Sequence, residues 1–285
     1  MLPSSPASSP SSVRWSSPVL FVLLLLVVGL ATARPALAAS GDVGGEAASA
    51  GAIEDPGGDD VGTETDADPL WPVAAPAKQR GATVARVVVA GYGRARLAST
   101  RGMVRVGTET AWSGQNQTLL VLRGAERAGV KWVQLLLGSR PNGRTAWVRR
   151  DHVVLGTTRY WIDVSTRLRR VTVYRDGQRV RRFRAVIGAP RTPTPHTLAA
   201  IYEINRQPEP TAFLGPWVLA LTAHSQVLEN YGGGPGRAAI HGRAGASLLD
   251  PLGSARSHGC VRVTNADVRF LAQRVPAGTP VDLRR

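Results

Sequence analysis

The sequence predicts a mainly β protein, with two β domains in tandem and one or two short helices. Short runs rich in β-branched and aromatic residues, such as Val84–Val89 and Tyr160–Val164, recur between turn residues. Asp176-Gly177 joins two such runs and is a strong signal for a two-residue hairpin. Helical spacing of apolar residues is clear after Thr264. These observations together favour strands over helices along most of the chain.

The first 38 residues have the features of an export signal. Ser and Pro with Arg14 precede an apolar run from Val19 to Ala31, and Ala36-Leu37-Ala38 is a small-residue cleavage pattern. A transmembrane helix needs roughly 18 or more apolar residues, which is longer than this run. We therefore predict a signal peptide over residues 1–38, with an uncleaved membrane anchor as the alternative.

Residues 39–77 are predicted to be an acidic disordered linker. Residues 39–76 contain nine acidic residues and no basic one, among abundant Gly and Ala. A segment of low hydrophobicity that carries charge of one sign buries too little apolar surface to fold.

The rest of the chain is strongly basic, with thirty-three Lys and Arg against eleven Asp and Glu in residues 77–285. Such a charge attracts polyanions. No helix-turn-helix, zinc or aromatic-and-basic motif is found, so we predict no nucleic-acid partner. Anionic wall polymers and phospholipid surfaces are the polyanions that an exported protein would meet.

Residues 78–155 are predicted to form a small β domain. The apolar stretch Leu119–Leu122 and the alternating stretch Lys131–Leu135 each indicate a strand. Pro141-Asn142-Gly143 turns the chain before Trp147-Val148. Closely spaced short strands favour a small barrel or sandwich.

Residues 157–285 are predicted to form a second β domain. Val171–Tyr174 and Val180–Ile187 flank the Asp176-Gly177 turn. Thr264 and Asp267 have capping-box spacing, which predicts a short helix that ends at Pro276. A final strand is expected around Val281 and Leu283.

The segment from Tyr202 to Gly236 contains many Pro and Gly residues together with Trp217. We interpret it as a long insertion that forms a lid or a substrate-binding loop, more than as part of a regular core.

The one cysteine of the chain, Cys260, is the candidate nucleophile. A lone thiol in an exported protein makes no intramolecular disulfide, and a nearby histidine favours a reactive role. His258 lies two residues earlier, on the same face of an extended segment, and His241 lies nineteen positions earlier. Gly259 lets backbone N–H groups approach an anionic oxygen. The arrangement indicates acyl transfer through a thioester.

His241-Gly242, a loop rich in Gly, and Ser257-His258-Gly259-Cys260-Val261-Arg262 followed by Asn265 resemble the signature of the L,D-transpeptidase (YkuD-type) catalytic domain. The resemblance covers roughly the last 125 residues. It also includes Tyr160–Val164, Val171–Tyr174, Gly188-Ala189-Pro190, Thr192-Pro193-Thr194-Pro195 and Val275–Val281. It implies a mixed β-sandwich with one or two short helices over residues 157–285.

A second resemblance concerns the preceding domain. The segment from Trp132 through Arg140-Pro141-Asn142-Gly143 to Trp147-Val148 is similar to the bacterial SH3-like modules that often precede such catalytic domains. It implies a small SH3-like β-barrel over residues 78–155.

The catalytic resemblance implies a cysteine acyltransferase that cross-links peptidoglycan. Cys260 would attack the carbonyl of the third stem-peptide residue, release terminal D-alanine, and pass the acyl group to an amine of another stem. His241 would accept and donate the proton, and the carbonyl of Gly242 would fix its tautomer. The amides of His258, Gly259 and Cys260 would line the oxyanion site.

Five further residues are candidates for substrate binding: Ser257, Arg262, Asn265, Trp217 and His224. Arg262 and Asn265 are expected to brace the loop or to contact substrate carboxylates. His224 lies on an apolar strand-like run, where a structural role is the first interpretation and a wall of the acyl-donor groove is the second.

The resemblance also implies the partners and the location. Peptidoglycan stem peptides are the substrates, carbapenems are expected inhibitors, and neither a metal nor an organic cofactor is required. An exported protein with this activity would work in the cell wall or the periplasmic space.

Two other classes of function stay open. A cysteine peptidase of cell-wall peptides is the first, although its cysteine usually precedes its histidine. A wall-binding protein without catalysis is the second, with a metal site from His224, His241, His258 and Cys260 as a variant.

Overall fold

The first β-sheet consists of seven strands between residues 82 and 158, and each pair of neighbouring strands is antiparallel. The computed structural model describes residues 70–230 and 234–285. The strands are β1 (Ala82–Val87), β2 (Gly91–Arg94), β3 (Met103–Val106), β4 (Thr118–Arg127), β5 (Val130–Leu136), β6 (Thr145–Arg149) and β7 (Val153–Thr158). Their order across the sheet is β3-β2-β6-β5-β4-β1-β7, so β3 and β7 lie at its edges.

The second sheet is mixed and contains eight strands, in the order β10-β9-β8-β17-β12-β13-β14-β16. Two further strands, β11 and β15, pair in parallel beside it. In chain order the ten strands are β8 (Tyr160–Ser165), β9 (Arg170–Arg175), β10 (Gln178–Arg184), β11 (Ile187–Gly188), β12 (Thr197–Arg206), β13 (Trp217–His224), β14 (Arg237–His241), β15 (Ala255–Ser257), β16 (Val261–Arg262) and β17 (Pro280–Arg284). The parallel pairs within the large sheet are β8 with β17 and β14 with β16.

The predicted hairpin at Asp176-Gly177 joins β9 to β10. Arg175 pairs with Gln178, which leaves a two-residue turn. Asp176 has φ 51° and Gly177 has φ 75°. Positive φ at both central residues is the turn that matches the twist of the flanking strands.

The described residues contain one α-helix, α1 (Asn265–Arg274). The Thr264 side chain accepts a hydrogen bond from the Asp267 amide at 3.1 Å, which caps the first turn. Val268 and Leu271 are buried against the second sheet, and the helix ends before Pro276 as predicted. Two 3-10 turns cover Arg150–His152 and Gly245–Leu249.

The two sheets share buried contacts and belong to one compact unit. Tyr202 of β12 packs into the core of the first sheet, and its hydroxyl donates to Gln117 at 3.1 Å. Glu203 is buried and accepts a hydrogen bond from the Ser113 hydroxyl at 2.7 Å. A buried carboxylate needs hydrogen bonds to replace its lost hydration. The bond from Ser113 therefore fixes the loop before β4 against β12.

The interpretation of residues 202–236 as an insertion outside the core is wrong for much of that segment. Tyr202–Arg206 continue β12, and Trp217–His224 form β13, whose residues after Trp217 are all buried. β13 is covered on both faces, so its sequence lacks the alternation of apolar and polar residues that marks a half-buried strand. Between these strands, residues 207–216 form an irregular loop.

Several predictions concern residues outside the described ranges. The signal peptide at 1–38, most of the linker at 39–77, and Tyr231-Gly232-Gly233 lie there. Within residues 70–230 and 234–285, no helix has the length and apolar character needed to cross a membrane.

Candidate active site

The parallel pairing of β14 with β16 brings the candidate nucleophile and the candidate base together. His241 is the last residue of β14 and pairs with Arg262, while Ile240 pairs with Val261. Cys260 immediately precedes β16, and the same register places it level with Ala239, two residues before His241. Residues two apart on a strand share a face, and the register therefore places Cys260 beside the face that carries His241.

A cavity of about 70 Å³ contains this pair. Its wall includes four residues predicted for the site, Cys260, His241, His258 and Arg262. The remaining residues of the wall are Phe213, Leu214, Ser225, Leu228, Gly236 and Arg237.

The tautomer of His241 follows from its backbone partner. Nδ1 of His241 lies 2.8 Å from the carbonyl oxygen of Gly242. A carbonyl only accepts hydrogen bonds, so Nδ1 carries the hydrogen and Nε2 keeps its lone pair. This geometry matches the expected role of Gly242.

Burial holds His241 in its neutral form. Loss of water lowers the pKa of His241 from 6.5 to about 4, the positive charge of Arg262 adds to this effect, and the backbone of Gly242 and Leu214 opposes it. The residue is 1 % exposed. A neutral imidazole accepts a proton at pH 7, which an imidazolium does not.

Cys260 is half-buried, and this burial raises the pKa of its thiol. The backbone of Ala239 and the charge of Arg262 oppose the rise. Among the described residues, no hydrogen bond joins the Cys260 sulfur to His241. The resting site therefore contains a neutral thiol and a neutral imidazole, instead of a thiolate formed in advance.

A sharp turn presents Cys260 to the cavity. Gly259 has φ +113°, a conformation that side-chain-bearing residues rarely adopt. Ser257 is fully buried, and its hydroxyl donates to the Cys260 carbonyl at 2.6 Å and accepts from the Gly259 amide at 3.2 Å. These bonds fix the backbone on both sides of His258.

The Thr192-Pro193-Thr194 segment supports the same turn from outside. The Thr192 hydroxyl donates to the Ser257 carbonyl at 3.1 Å, and the Thr194 hydroxyl donates to the Gly259 carbonyl at 3.0 Å. Thr194 is buried, so this bond is shielded from water.

Arg262 lies in the wall with its charge partly compensated. Its Nη1 donates to Asp250 Oδ2 at 2.6 Å, and its guanidinium lies 4.7 Å from the centre of the Phe213 ring. The Nε atom of Arg262 is buried and has no hydrogen-bond partner in the described residues. Arg262 thus places positive charge beside both His241 and Cys260.

Comparison with known proteins identifies the family. The model of the YkuD L,D-transpeptidase catalytic domain matches residues 159–283. A YkuD protein of Bacillus licheniformis, assigned as an L,D-transpeptidase, is 34 % identical over 157 residues, which cover 53 % of this chain and 85 % of the relative.

This chain belongs to the YkuD L,D-transpeptidase family.

The YkuD protein of Bacillus subtilis is 32 % identical over 129 residues, which cover 45 % of this chain and 68 % of the relative. Among solved structures, an L,D-transpeptidase from Mycobacterium smegmatis is 14 % identical and matches with a TM-score of 0.36. That match covers 70 % of this chain and 99 % of the other.

Five residues of the YkuD-type signature lie outside the cavity wall: Gly242, Ser257, Gly259, Val261 and Asn265. Ser257 was predicted to bind substrate, but it is buried beneath the turn. Both hydrogen bonds of its hydroxyl are made to the backbone of Gly259 and Cys260. The Gly259 amide was expected to face an oxyanion, yet it donates to Ser257. Asn265 accepts from the Arg243 amide at 2.8 Å, and a Cβ at Gly242 would meet its Oδ1 at 2.4 Å. Asn265 therefore braces the loop after His241.

Trp217 and His224, at opposite ends of β13, also differ from the substrate-binding prediction. Trp217 lines a separate cleft of about 860 Å³ with Arg206 and Arg269. His224 is buried, outside the wall of the cavity, and its amide donates to Asn142 at 2.8 Å. Burial, and then the charges of Arg237 and Arg140, lower the pKa of His224 to about 4.

The four residues of the hypothetical metal site are not all brought together, since His224 lies apart from the other three. In the part of the chain that the structure describes, no group of three or more His, Cys, Asp or Glu residues is arranged to hold a metal ion.

Sequence reasoning missed several residues of this YkuD-family cavity. Phe213 and Leu214 come from the loop between β12 and β13, and the Phe213 ring lies 6.4 Å from the His241 ring. Ser225 and Leu228 follow β13, and Arg237 is the first residue of β14. Their only sequence signal is their position in the Pro- and Gly-marked segment before His241.

Proposed function

We propose that this protein forms cross-links between peptidoglycan stem peptides by L,D-transpeptidation through a thioester on Cys260. The observation that carries the proposal is the placement of Cys260, His241 and His258 in the wall of one cavity, with Nδ1 of His241 bonded to Gly242. Membership of the YkuD family supports the same reaction.

Acylation is the first half of the reaction. The sulfur of Cys260 attacks the carbonyl carbon of the third stem residue, and Nε2 of His241 takes the thiol proton as the S–C bond forms. The C–N bond to D-alanine then breaks, and His241 returns the proton to the departing amine. Because both groups rest in their neutral forms, proton transfer accompanies attack instead of preceding it.

Transfer to the acceptor is the second half. The side-chain amine of another stem attacks the thioester carbonyl, and Nε2 of His241 accepts the proton of that amine. The new amide forms as the C–S bond breaks, and the proton passes to the Cys260 sulfur. Backbone amides of the turn at His258 and Cys260 are the proposed stabilisers of the oxyanion in both halves.

The test is incubation of the protein with a disaccharide tetrapeptide, followed by mass spectrometry. We expect D-alanine release, a covalent adduct on the peptide that contains Cys260, and a cross-linked dimer. Cys260→Ser should lower D-alanine release by orders of magnitude, because a hydroxyl is far harder to deprotonate. A Cys260→Ser protein with most of its activity would contradict the mechanism.

A cysteine peptidase is the second candidate. In that reaction, water instead of an acceptor amine would attack the thioester on Cys260. The two differ in their products. Free tripeptide without dimer, at a high concentration of acceptor, would favour the peptidase.

The regions before the catalytic domain are assigned by proposal as well. An N-terminal export signal would deliver the protein to the cell wall or periplasmic space, and residues 78–155 would be an SH3-like module. The antiparallel sheet of short strands in that region supports the second assignment.

A further inference from the structure

The loop between β5 and β6, which belongs to the first sheet, contacts the chain beside the Cys260 cavity. Nη1 of Arg140 donates to the Ser225 carbonyl at 2.7 Å. Nη2 of Arg140 donates to the Leu228 carbonyl at 2.9 Å and to the Pro235 carbonyl at 3.1 Å. The guanidinium of Arg140 therefore connects the first sheet to three backbone carbonyls in the segment between β13 and β14.

Asn142, two residues later in the same loop, makes a reciprocal contact with the end of β13. Its Nδ2 donates to the His224 carbonyl at 2.8 Å, and its Oδ1 accepts from the His224 amide at 2.8 Å. A side-chain amide that satisfies both backbone groups of one residue fixes that residue as a neighbouring strand would.

Arg237, at the start of β14, donates in turn to the β5–β6 loop. Its Nη2 donates to the Gly138 carbonyl at 2.9 Å, and its Nη1 donates to the Leu221 carbonyl at 2.9 Å. Its guanidinium also lies 4.4 Å from the centre of the Tyr202 ring. The contact between the β5–β6 loop and the second sheet is thus fixed from both sides.

The residues held by these contacts belong to the cavity wall. Ser225, Leu228, Gly236 and Arg237 line the same cavity as Cys260 and His241. Ser225 and Leu228 lie in an irregular segment after β13. The Ser225 amide donates to the Gly236 carbonyl at 2.8 Å, and the Leu228 amide donates to the Ser225 hydroxyl at 3.0 Å. Charge-assisted hydrogen bonds from Arg140 are the direct restraint on their carbonyls.

We propose that Arg140 and Asn142 are positioning residues, which hold the Ser225 and Leu228 side of the cavity so that an acyl donor meets Cys260 in a reactive geometry. The inference rests on the proposed function. It makes residues 138–142, in the β5–β6 loop of the first sheet, a structural part of the active site. This role is separate from any binding of a ligand by the first sheet. Misplacement of a substrate by about 1 Å lowers rates by up to roughly a hundredfold.

Full-length Arg140→Ala and Asn142→Ala proteins test the proposal by their kinetics. We expect kcat/KM for D-alanine release to fall roughly tenfold or more in Arg140→Ala, and less in Asn142→Ala, at a temperature well below each Tm. Arg140→Lys should give an intermediate value, because an ammonium does not reach three carbonyls in the manner of a guanidinium fork. Arg127→Ala is the matched control, since Arg127 is exposed on β4 and should leave kcat/KM unchanged.

Alkylation of Cys260 provides a readout that does not depend on the proposed function. Since Cys260 is the one cysteine of the chain, any thiol adduct reports this site. A displaced wall should raise the rate with a bulky maleimide dye more than the rate with iodoacetamide. We expect this change of ratio in Arg140→Ala and no change in Arg127→Ala.

The two readouts separate the two proposals. A wild-type protein that releases no D-alanine, together with a changed alkylation ratio in Arg140→Ala, would contradict the proposed function and leave the positioning role supported. Folded Arg140→Ala and Asn142→Ala proteins with a lower Tm, wild-type kcat/KM and a wild-type alkylation ratio would overturn the positioning role. That result would assign these contacts to stability alone.

Discussion

Arg262, in the wall of the candidate active site, forms an ion pair with Asp250. Nη1 of Arg262 lies 2.6 Å from Oδ2 of Asp250, and the two side chains are 4 % and 21 % exposed. A buried guanidinium without its partner is costly, because the interior does not replace the lost hydration.

Asp250→Ala should therefore destabilise the fold by about 3 kcal/mol. Urea unfolding at pH 7 measures this change. The matched control is Asp151→Ala, which removes the exposed pair with Arg149 and should cost less than about 1 kcal/mol. Equal losses in the two variants would contradict the buried character of the Arg262 pair.

Acylation should depend on His241 with an acidic limit near pH 4. The pKa of His241 is about 4, so the rate of D-alanine release should fall as pH drops through that value instead of through 6.5. His241→Ala should lower the rate by roughly 10²–10⁴-fold at neutral pH. Part of it should return at high pH, where the Cys260 thiol ionises unaided. An acidic limb near pH 6.5 in the wild type would mean that another group is the base.

Stability should decline with acid between about pH 6.5 and pH 4. The folded-state pKa of both His224 and His241 is about 4, below the 6.5 of an unfolded histidine. Between these values the unfolded chain binds protons that the folded chain does not, so stability rises with pH across that window. Unfolding free energies of His224→Gln should show a smaller pH slope there than the wild type.

A carbapenem should give one covalent adduct, on the peptide that contains Cys260. The strained lactam carbonyl acylates the thiol in the same manner as the donor amide, and the chain has one cysteine. Mass spectrometry of intact protein should show no adduct with Cys260→Ala and a slower one with His241→Ala. Absence of any adduct on folded wild type, under conditions where a small reagent titrates the thiol, would count against transpeptidation.

Gly259→Ala should impair both folding and acylation. Gly259 has φ +113°, and an alanine there costs about 1–3 kcal/mol of strain or moves the turn that presents Cys260. Gly129→Ala is the control, since Gly129 has φ +72° and its Cβ would meet nothing within 4 Å. The control should cost about 1 kcal/mol and keep full D-alanine release. Normal release by Gly259→Ala would show that the turn tolerates a different backbone.

The sequence predicted several local features of the second sheet and its helix. Asp176-Gly177 encodes its hairpin because few residues accept positive φ, and Thr264 with Asp267 marks the start of α1. The placement of Cys260 near His241 followed from their motif. Prediction was less accurate for Trp217, which lies at another cleft, and for Ser257, which lies beneath the turn.

The sequence by itself determined the single thiol, the two histidines of the motif and the short strands that carry them, because these depend on residue type and local spacing. Only the tertiary structure decided which distant residues share the cavity. Arg140 reaches Ser225 across 85 positions, and no periodicity encodes a contact that depends on the order of strands. Burial likewise decided that Cys260 and His241 rest as neutral groups, since loss of water is a property of the assembled core.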